Sequence, residues 1–234
     1  MFFGGILKLT LLDYPDKTAC TLFTAGCNFG CPFCQNASLA VWDEKSPQDA
    51  QSIDASEVLE FLKSRQSLLD GVCISGGEPL LHDELDGFIG EVKAMGFLVK
   101  LDTNGSHPKK LEKLIRSGAI DYVAMDIKNT PEKYAQTIGL PEYDVAPVEE
   151  SMTLLRSGTL PYEFRTTVVR ELHTVDDLLI IARWISGAKK YFLQSFVDSG
   201  GVLKKGLHSY TEEEMRQFHS KIEKILPSVE LRGI

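Results

Sequence analysis

The chain has 234 residues, the size of one large α/β domain, and at 43% hydrophobic residues it can build a core that a disordered chain could not. A net charge of −8 excludes general nucleic-acid binding, which asks for a basic stripe. Five cysteines without secreted-scaffold spacing, no basic-then-apolar leader over residues 1–8 and no run of about 20 apolar residues point to a soluble, cytoplasmic protein with no membrane segment.

In chain order, residues 1–17 read as an opening strand and a turn built on Asp13, Tyr14, Pro15 and Asp16. Residues 18–24 are rich in β-formers and run into GCNFGCPFC at 26–34. A polar link at 43–54 precedes a helix capped by Asp54 or Ser56, with Val58, Leu59, Phe61 and Leu62 on one face. An apolar strand at 71–75 ends in GGEP at 76–79, and a helix at 83–95 stops at Gly96. Strand 97–102 ends at Thr103, Asn104 and Gly105, and helix 108–117 ends at Gly118. Strand 122–128 leads into a less regular region, then a helix at 147–157. Strand 162–169, helix 174–186, strand 191–197, a loop with Gly200 and Gly201, helix 211–225 and a short strand at 229–232 complete the series. No linker interrupts it, so residues 1–234 read as a single domain.

Alternating strands and helices imply βαβ units on a parallel sheet. The six main strands fall short of the eight of a closed barrel. Composition leaves two architectures open, a partial (β/α)6 barrel and a doubly wound sheet.

Cys27, Cys31 and Cys34 stand at C-x3-C-x2-C spacing between Gly26 and Pro32, in a segment that can coil tightly and cannot continue as a helix. Three thiolates so close suit a soft metal centre. Purely electron-carrying clusters and structural zinc sites take four ligands, so three on a [4Fe–4S] cluster would leave one iron open. The same residues also allow an inert cysteine group, or a zinc site completed by Cys20, Cys73 or His82. No second C-x2-C or H-x3-H pair supplies that fourth ligand. Phe29 and Phe33 would shield a cluster or serve as ordinary core. Cys20, inside its strand, reads as a small core residue.

Strands buried on both faces should be near-continuous Val, Ile and Leu. Here Glu78, Asp102, Asn104, Asp126 and Lys128 crowd the C-terminal strand ends, with Arg165 and Gln194 inside two later strands. Ligands of α/β barrels bind at those ends. Asp102 and Asn104 share a face, as do Asp126 and Lys128. Singly, each also has a structural explanation: a local Asp126–Lys128 ion pair, and helix caps for the others. Gly76 and Gly77 let a backbone approach a ligand closely.

The three-cysteine spacing, followed by GGEP after a strand, resembles the radical S-adenosylmethionine (SAM) superfamily. GILK at 5–8, LDYP at 12–15, CNFGCPFCQN at 27–36, DTNG at 102–105 and MDIK at 125–128 are similar to activating enzymes of glycyl radical enzymes, above all the long type that serves anaerobic ribonucleoside-triphosphate reductase. The resemblance selects the partial (β/α)6 barrel. It implies one [4Fe–4S] cluster on Cys27, Cys31 and Cys34, whose open iron chelates SAM. It implies that Gly76, Gly77 and Glu78 hold the SAM amino group, and that Asp102, Asn104, Lys128, Arg165 and Gln194 line the cofactor. Asp102, Thr103 and Asp126 would hold a monovalent cation near its carboxylate. Gln194 stands where pyruvate formate-lyase activase has a histidine, and Asp16 where relatives often have glycine.

The activity implied is reductive cleavage of SAM to methionine and a 5′-deoxyadenosyl radical, which takes hydrogen from a glycine of a partner enzyme. A flavodoxin- or ferredoxin-type donor would supply the electron, with no catalytic residue beyond the cluster and SAM ligands. A small-molecule radical SAM enzyme of the 7-carboxy-7-deazaguanine synthase kind shares the same motifs and is the alternative.

Overall fold

The computed structural model describes residues 1–40, 52–198 and 200–234. Most of the link expected at 43–54 lies outside the described residues. The chain forms two compact units, Met1–Asn28 with Ser38–Thr103 and His107–Val123, and Phe29–Ala37 with Asn104–Ser106 and Ala124–Ile234.

In the first unit β1 (Phe2–Thr10) runs antiparallel to β2 (Ala19–Thr24) and to the two-residue β3 (Ile53–Asp54). The strands β2, β4 (Gly71–Gly76) and β5 (Leu98–Thr103) are parallel neighbours. They are buried along nearly their whole length, which explains their continuous apolar sequence. A short α1 (Ala37–Ala40) follows the cysteine stretch. Asp54 settles the capping choice for α2 (Ala55–Lys63), since its carboxylate accepts from Ser56 N at 2.8 Å. Then α3 (Leu85–Ala94) buries Leu85, Phe88, Ile89 and Val92, the face its period predicts. The last helix here is α4 (Pro108–Arg116). The order in this unit is β3-β1-β2-β4-β5-β6, where β6 (Tyr122–Asp126) begins in the first unit and ends in the second.

In the second unit the order is β6-β7-β8-β9, with β7 (Tyr162–Val168), β8 (Tyr191–Ser195) and β9 (Val229–Arg232) parallel. Its helices are α5 (Pro131–Thr137), α6 (Ala146–Ser157), α7 (Val175–Trp184) and α8 (Glu212–Ile222). Capping boxes start two of them, Thr174 with Asp177 for α7 and Thr211 with Glu214 for α8.

Three sequence expectations need correction. The region after β6 contains α5, seven residues capped by Thr130 and opened by Pro131, too short to show a helical apolar period. The expected strands at 122–128 and 191–197 end at Asp126 and Ser195, because β-forming side chains continue past the point where the ladder stops. Lys128 and Val197 therefore lie just beyond strands. No helix among the described residues is long and apolar enough to cross a membrane.

Candidate metal and cofactor site

In the first unit the arm carrying Cys27 is held by its backbone. Gly26 N donates to Leu39 O at 2.7 Å and Cys27 N to Ala40 O at 3.2 Å. The end of β4 lies directly on this arm, with Gly77 N bonded to Thr24 O and Glu78 N to Gly26 O, both at 2.9 Å. A Cβ on Gly77 would stand 1.9 Å from Gly26 O, and Gly76 sits at φ +109 with no room for one. The glycine pair is thus what lets the Glu78 turn meet the cysteine arm.

In the second unit Cys34 N donates to Cys31 O at 3.1 Å, Gly30 N to Ile138 O at 2.8 Å and Lys204 N to Pro32 O at 2.9 Å. Phe33 is buried edge-on to His173, and Phe29 edge-on to Tyr134 and Tyr143. All five cysteines are free thiols. Cys31 is buried while Cys27 and Cys34 are half-buried. This donor set, three thiols on loops tied down by their amides and flanked by buried phenylalanines, fits a soft cluster.

Three further side chains were candidates for completing a zinc site. His82 Nε2 lies 2.8 Å from Ala25 O, where it must donate. Cys20 is buried in β2, where burial pushes its thiol up to about 12. Cys73 Sγ sits 3.7 Å from both Lys100 Nζ and Asp102 Oδ1. Among the described residues no three His, Cys, Asp or Glu side chains converge as a single-ion site.

Two carboxylates mark the strand ends of the first unit. Glu78 is fully buried and accepts from Leu80 N at 3.1 Å and Thr103 Oγ1 at 2.8 Å, so it also caps the one-turn helix at Pro79–Leu81. Asp102 accepts from Ser75 Oγ at 3.1 Å and is paired with Lys100, whose side chain is only 2% exposed. An ammonium so deep in a strand is tolerable only with its partner in place.

In the second unit Asp126 is bonded by Lys128 Nζ at 2.9 Å and Arg165 Nε at 3.0 Å. Burial opposes its charge, but the two cations outweigh it and hold the carboxyl well below the usual range. Lys128 Nζ also lies 5.9 Å from the centre of the Phe33 ring. His173 is fully buried; its Nδ1 accepts from Val169 N at 3.1 Å and its Nε2 lies 2.8 Å from Lys128 O. That pattern fixes a neutral ring, and burial pushes its pKa down. Asn104 Oδ1 accepts from Ser106 N at 2.9 Å. Gln194 is in register with Arg232, whose guanidinium forks onto Glu163 and stacks 3.7 Å from Phe192.

The structure thus brings Gly76, Gly77, Glu78 and Thr103 together in one unit with Asp102, and Asp126, Lys128 and Arg165 together in the other. Sequence reasoning overlooked Lys100, Ser75, His173 and the Glu163–Arg232 pair. Lys100 had a signal, a lysine inside an apolar parallel strand. His173 had none, because only folding puts Val169 N and Lys128 O on either side of it.

Residues 21–185 match the Radical SAM superfamily. The "Putative glycyl-radical enzyme activating enzyme MJ1227" of Methanocaldococcus jannaschii is 32% identical over 99% of this chain and 95% of its own length. A 7-carboxy-7-deazaguanine synthase of Bacillus subtilis is 24% identical over 68% of this chain and 72% of its own. Among solved structures, SuiB of Streptococcus suis bound to S-adenosylmethionine superposes with a TM-score of 0.71 at 13% identity, covering 90% of this chain and 49% of SuiB. The chain spans about half of that protein, and the likeness shows the fold, the α/β partial barrel expected from the motifs. The chain is a radical SAM enzyme, belonging to the radical SAM superfamily with its [4Fe–4S] cluster and S-adenosylmethionine.

Proposed function

We propose that the protein is a cytoplasmic activase that installs a glycyl radical on a partner enzyme, anaerobic ribonucleoside-triphosphate reductase, with electrons from a flavodoxin- or ferredoxin-type donor. The observation that carries this reading is the 32% identity to MJ1227 over 99% of the chain. When bound, the cluster and SAM would supply one-electron radical chemistry.

The chain's own residues hold, orient and enclose. Cys27, Cys31 and Cys34 would hold the cluster, and buried Phe29 and Phe33 would limit water beside it. Glu78 would receive the SAM amino group with Gly76 and Gly77; its bonds from Leu80 N and Thr103 Oγ1 already fix its direction. Asp102, Asn104, Lys128, Arg165 and Gln194 would line the cofactor, and Asp102, Thr103 and Asp126 would hold a monovalent cation. The Lys128 ammonium suits a ligand carboxylate, being steadied by Asp126 on one side and by His173 through its backbone on the other.

The test is anaerobic incubation of the reconstituted protein with the reductase, SAM and a reductant. The reading expects the doublet of a glycyl radical by electron paramagnetic resonance. A second reading rests on the likeness to 7-carboxy-7-deazaguanine synthase. It expects turnover of a small molecule and no doublet from any glycyl radical protein.

A further inference from the structure

In the second unit β7, β8 and β9 run side by side in register, with Thr167 level with Gln194 and Gln194 level with Arg232. Residues two apart on a strand share a face, so Gln194 and Arg232 stand on the face that also carries Glu163, Arg165 and Phe192. On the outermost strand, Arg232 is held from two sides. Its Nη1 and Nη2 donate to the two oxygens of Glu163 at 2.8 and 3.2 Å, and its guanidinium carbon lies 3.7 Å from the centre of the Phe192 ring. The Glu163 side chain is 1% exposed, whereas 34% of the Arg232 side chain remains open to solvent. A guanidinium has more N–H donors than this fork uses, and among the described residues Arg232 has no other hydrogen-bond partner. The half-buried Gln194 side chain makes no hydrogen bond among the described residues.

The ion pair explains how Arg232 is seated, and the donors left over say what it suits. An anion approaching Arg232 would also meet the Glu163 carboxylate, so those donors favour a neutral oxygen such as a peptide carbonyl. Beside it the Gln194 amide offers a donor and an acceptor, the complement of a peptide N–H and C=O. Neighbouring strands lie about 4.8 Å apart and an extended chain advances about 3.3 Å per residue, so the two side chains are spaced to meet successive peptide groups. A guanidinium already fixed by a fork and a ring loses little freedom when it binds.

We propose that Arg232, seated on Glu163 and Phe192, is a substrate-recognition residue that, with Gln194, holds the peptide backbone flanking the glycine from which hydrogen is taken. The inference rests on the activase reading and adds the residues that meet the protein substrate. Gln194 stands between β7, whose Arg165 is proposed to line the cofactor, and Arg232, which places the peptide beside SAM.

The probe is a short synthetic peptide spanning the radical-bearing glycine of anaerobic ribonucleoside-triphosphate reductase, with both glycine α-hydrogens replaced by deuterium. Deuterium appearing in 5′-deoxyadenosine gives kcat and KM for the peptide, and SAM affinity is measured without peptide. Arg232→Met alone would strand the buried Glu163 carboxylate. The variants are therefore Arg232→Lys, which keeps the ion pair and loses the planar fork, and Glu163→Gln with Arg232→Met, which leaves no buried charge. In both, KM for the peptide rises about tenfold while kcat and SAM affinity stay within about twofold of wild type. A wild-type KM in either variant overturns the proposal. So does a matching loss of SAM affinity, which would assign Arg232 to the cofactor. Wild-type protein that cleaves SAM yet takes deuterium from neither the peptide nor the glycine-deuterated reductase overturns the activase reading, and this inference with it.

Discussion

Two neighbouring strands end in the same two residue types in opposite order, Lys100 then Asp102 in β5, and Asp126 then Lys128 at the end of β6. Residues two apart share a face of a strand, so each set closes into an ion pair within its own segment. The order decides what is offered at the strand end. In β5 the cation is the deep member and the carboxylate comes last, turned toward Ser75 as well. At β6 the carboxylate comes first along the chain and is shared with Arg165, and the lysine comes last, both partly exposed. One strand therefore presents an anion and the other a cation.

The largest effects fall on the thiols. Cys27→Ala, Cys31→Ala or Cys34→Ala each removes SAM cleavage, read as 5′-deoxyadenosine formed under dithionite, by at least about 100-fold. Cys73→Ser, whose sulfur lies 3.7 Å from both Lys100 and Asp102, keeps a full complement of iron and sulfide. Loss of the cluster in Cys73→Ser would break the division between the two roles.

The next effect separates the pairs by depth. Lys100→Met leaves a carboxylate without its buried partner and lowers unfolding stability by about 3 kcal/mol in denaturant melts. Lys128→Met costs about 1 kcal/mol, because Arg165 still neutralises Asp126 and the site is open enough for water. The double change Lys100→Met with Asp102→Leu recovers most of the loss while weakening SAM binding. Equal costs for the two lysines would erase the distinction.

A smaller effect appears with acid. Asp126 has its folded pKa depressed, so its stabilising contribution is complete above the unfolded value of about 3.9 and is lost as pH falls further. The stability gap between wild type and Asp126→Asn is then flat from about pH 5 to 8 and narrows below about pH 4. A gap that widens on acidification contradicts the sign. The smallest effect lies outside both pairs: Asp16 sits at φ 61, and Asp16→Gly changes stability by no more than about 0.5 kcal/mol.

Much of the fold was legible because its signals are local. Gly96, Gly118 and Gly187 close helices where the periodicity ends, and each central strand falls where a β-rich run sits between two helical patterns. What was not legible depends on partners far away in sequence. The two-residue β3 exists only because Phe2 and Phe3 pair with Asp54 and Ile53, and the turn of α5 lacks room for a pattern. At the site, Asp102 and Asp126 stood out as polar residues in strands that should be apolar. Lys100 breaks the same rule but was hidden by attention to strand ends. Gly76 and Gly77 announced a close approach; what they approach within the first unit is the backbone of Thr24 and Gly26.

The claim on which the rest depends is that three thiolates, and no fourth, hold a cluster with an iron left for SAM. The direct measurement is metal and sulfide content of anaerobically reconstituted protein, with the electron paramagnetic resonance spectrum of its reduced form before and after adding SAM. The account predicts about four iron and four sulfide per chain and a spectrum that changes when SAM binds. About one zinc per chain without iron, or a cluster spectrum that SAM leaves unaltered, would contradict it.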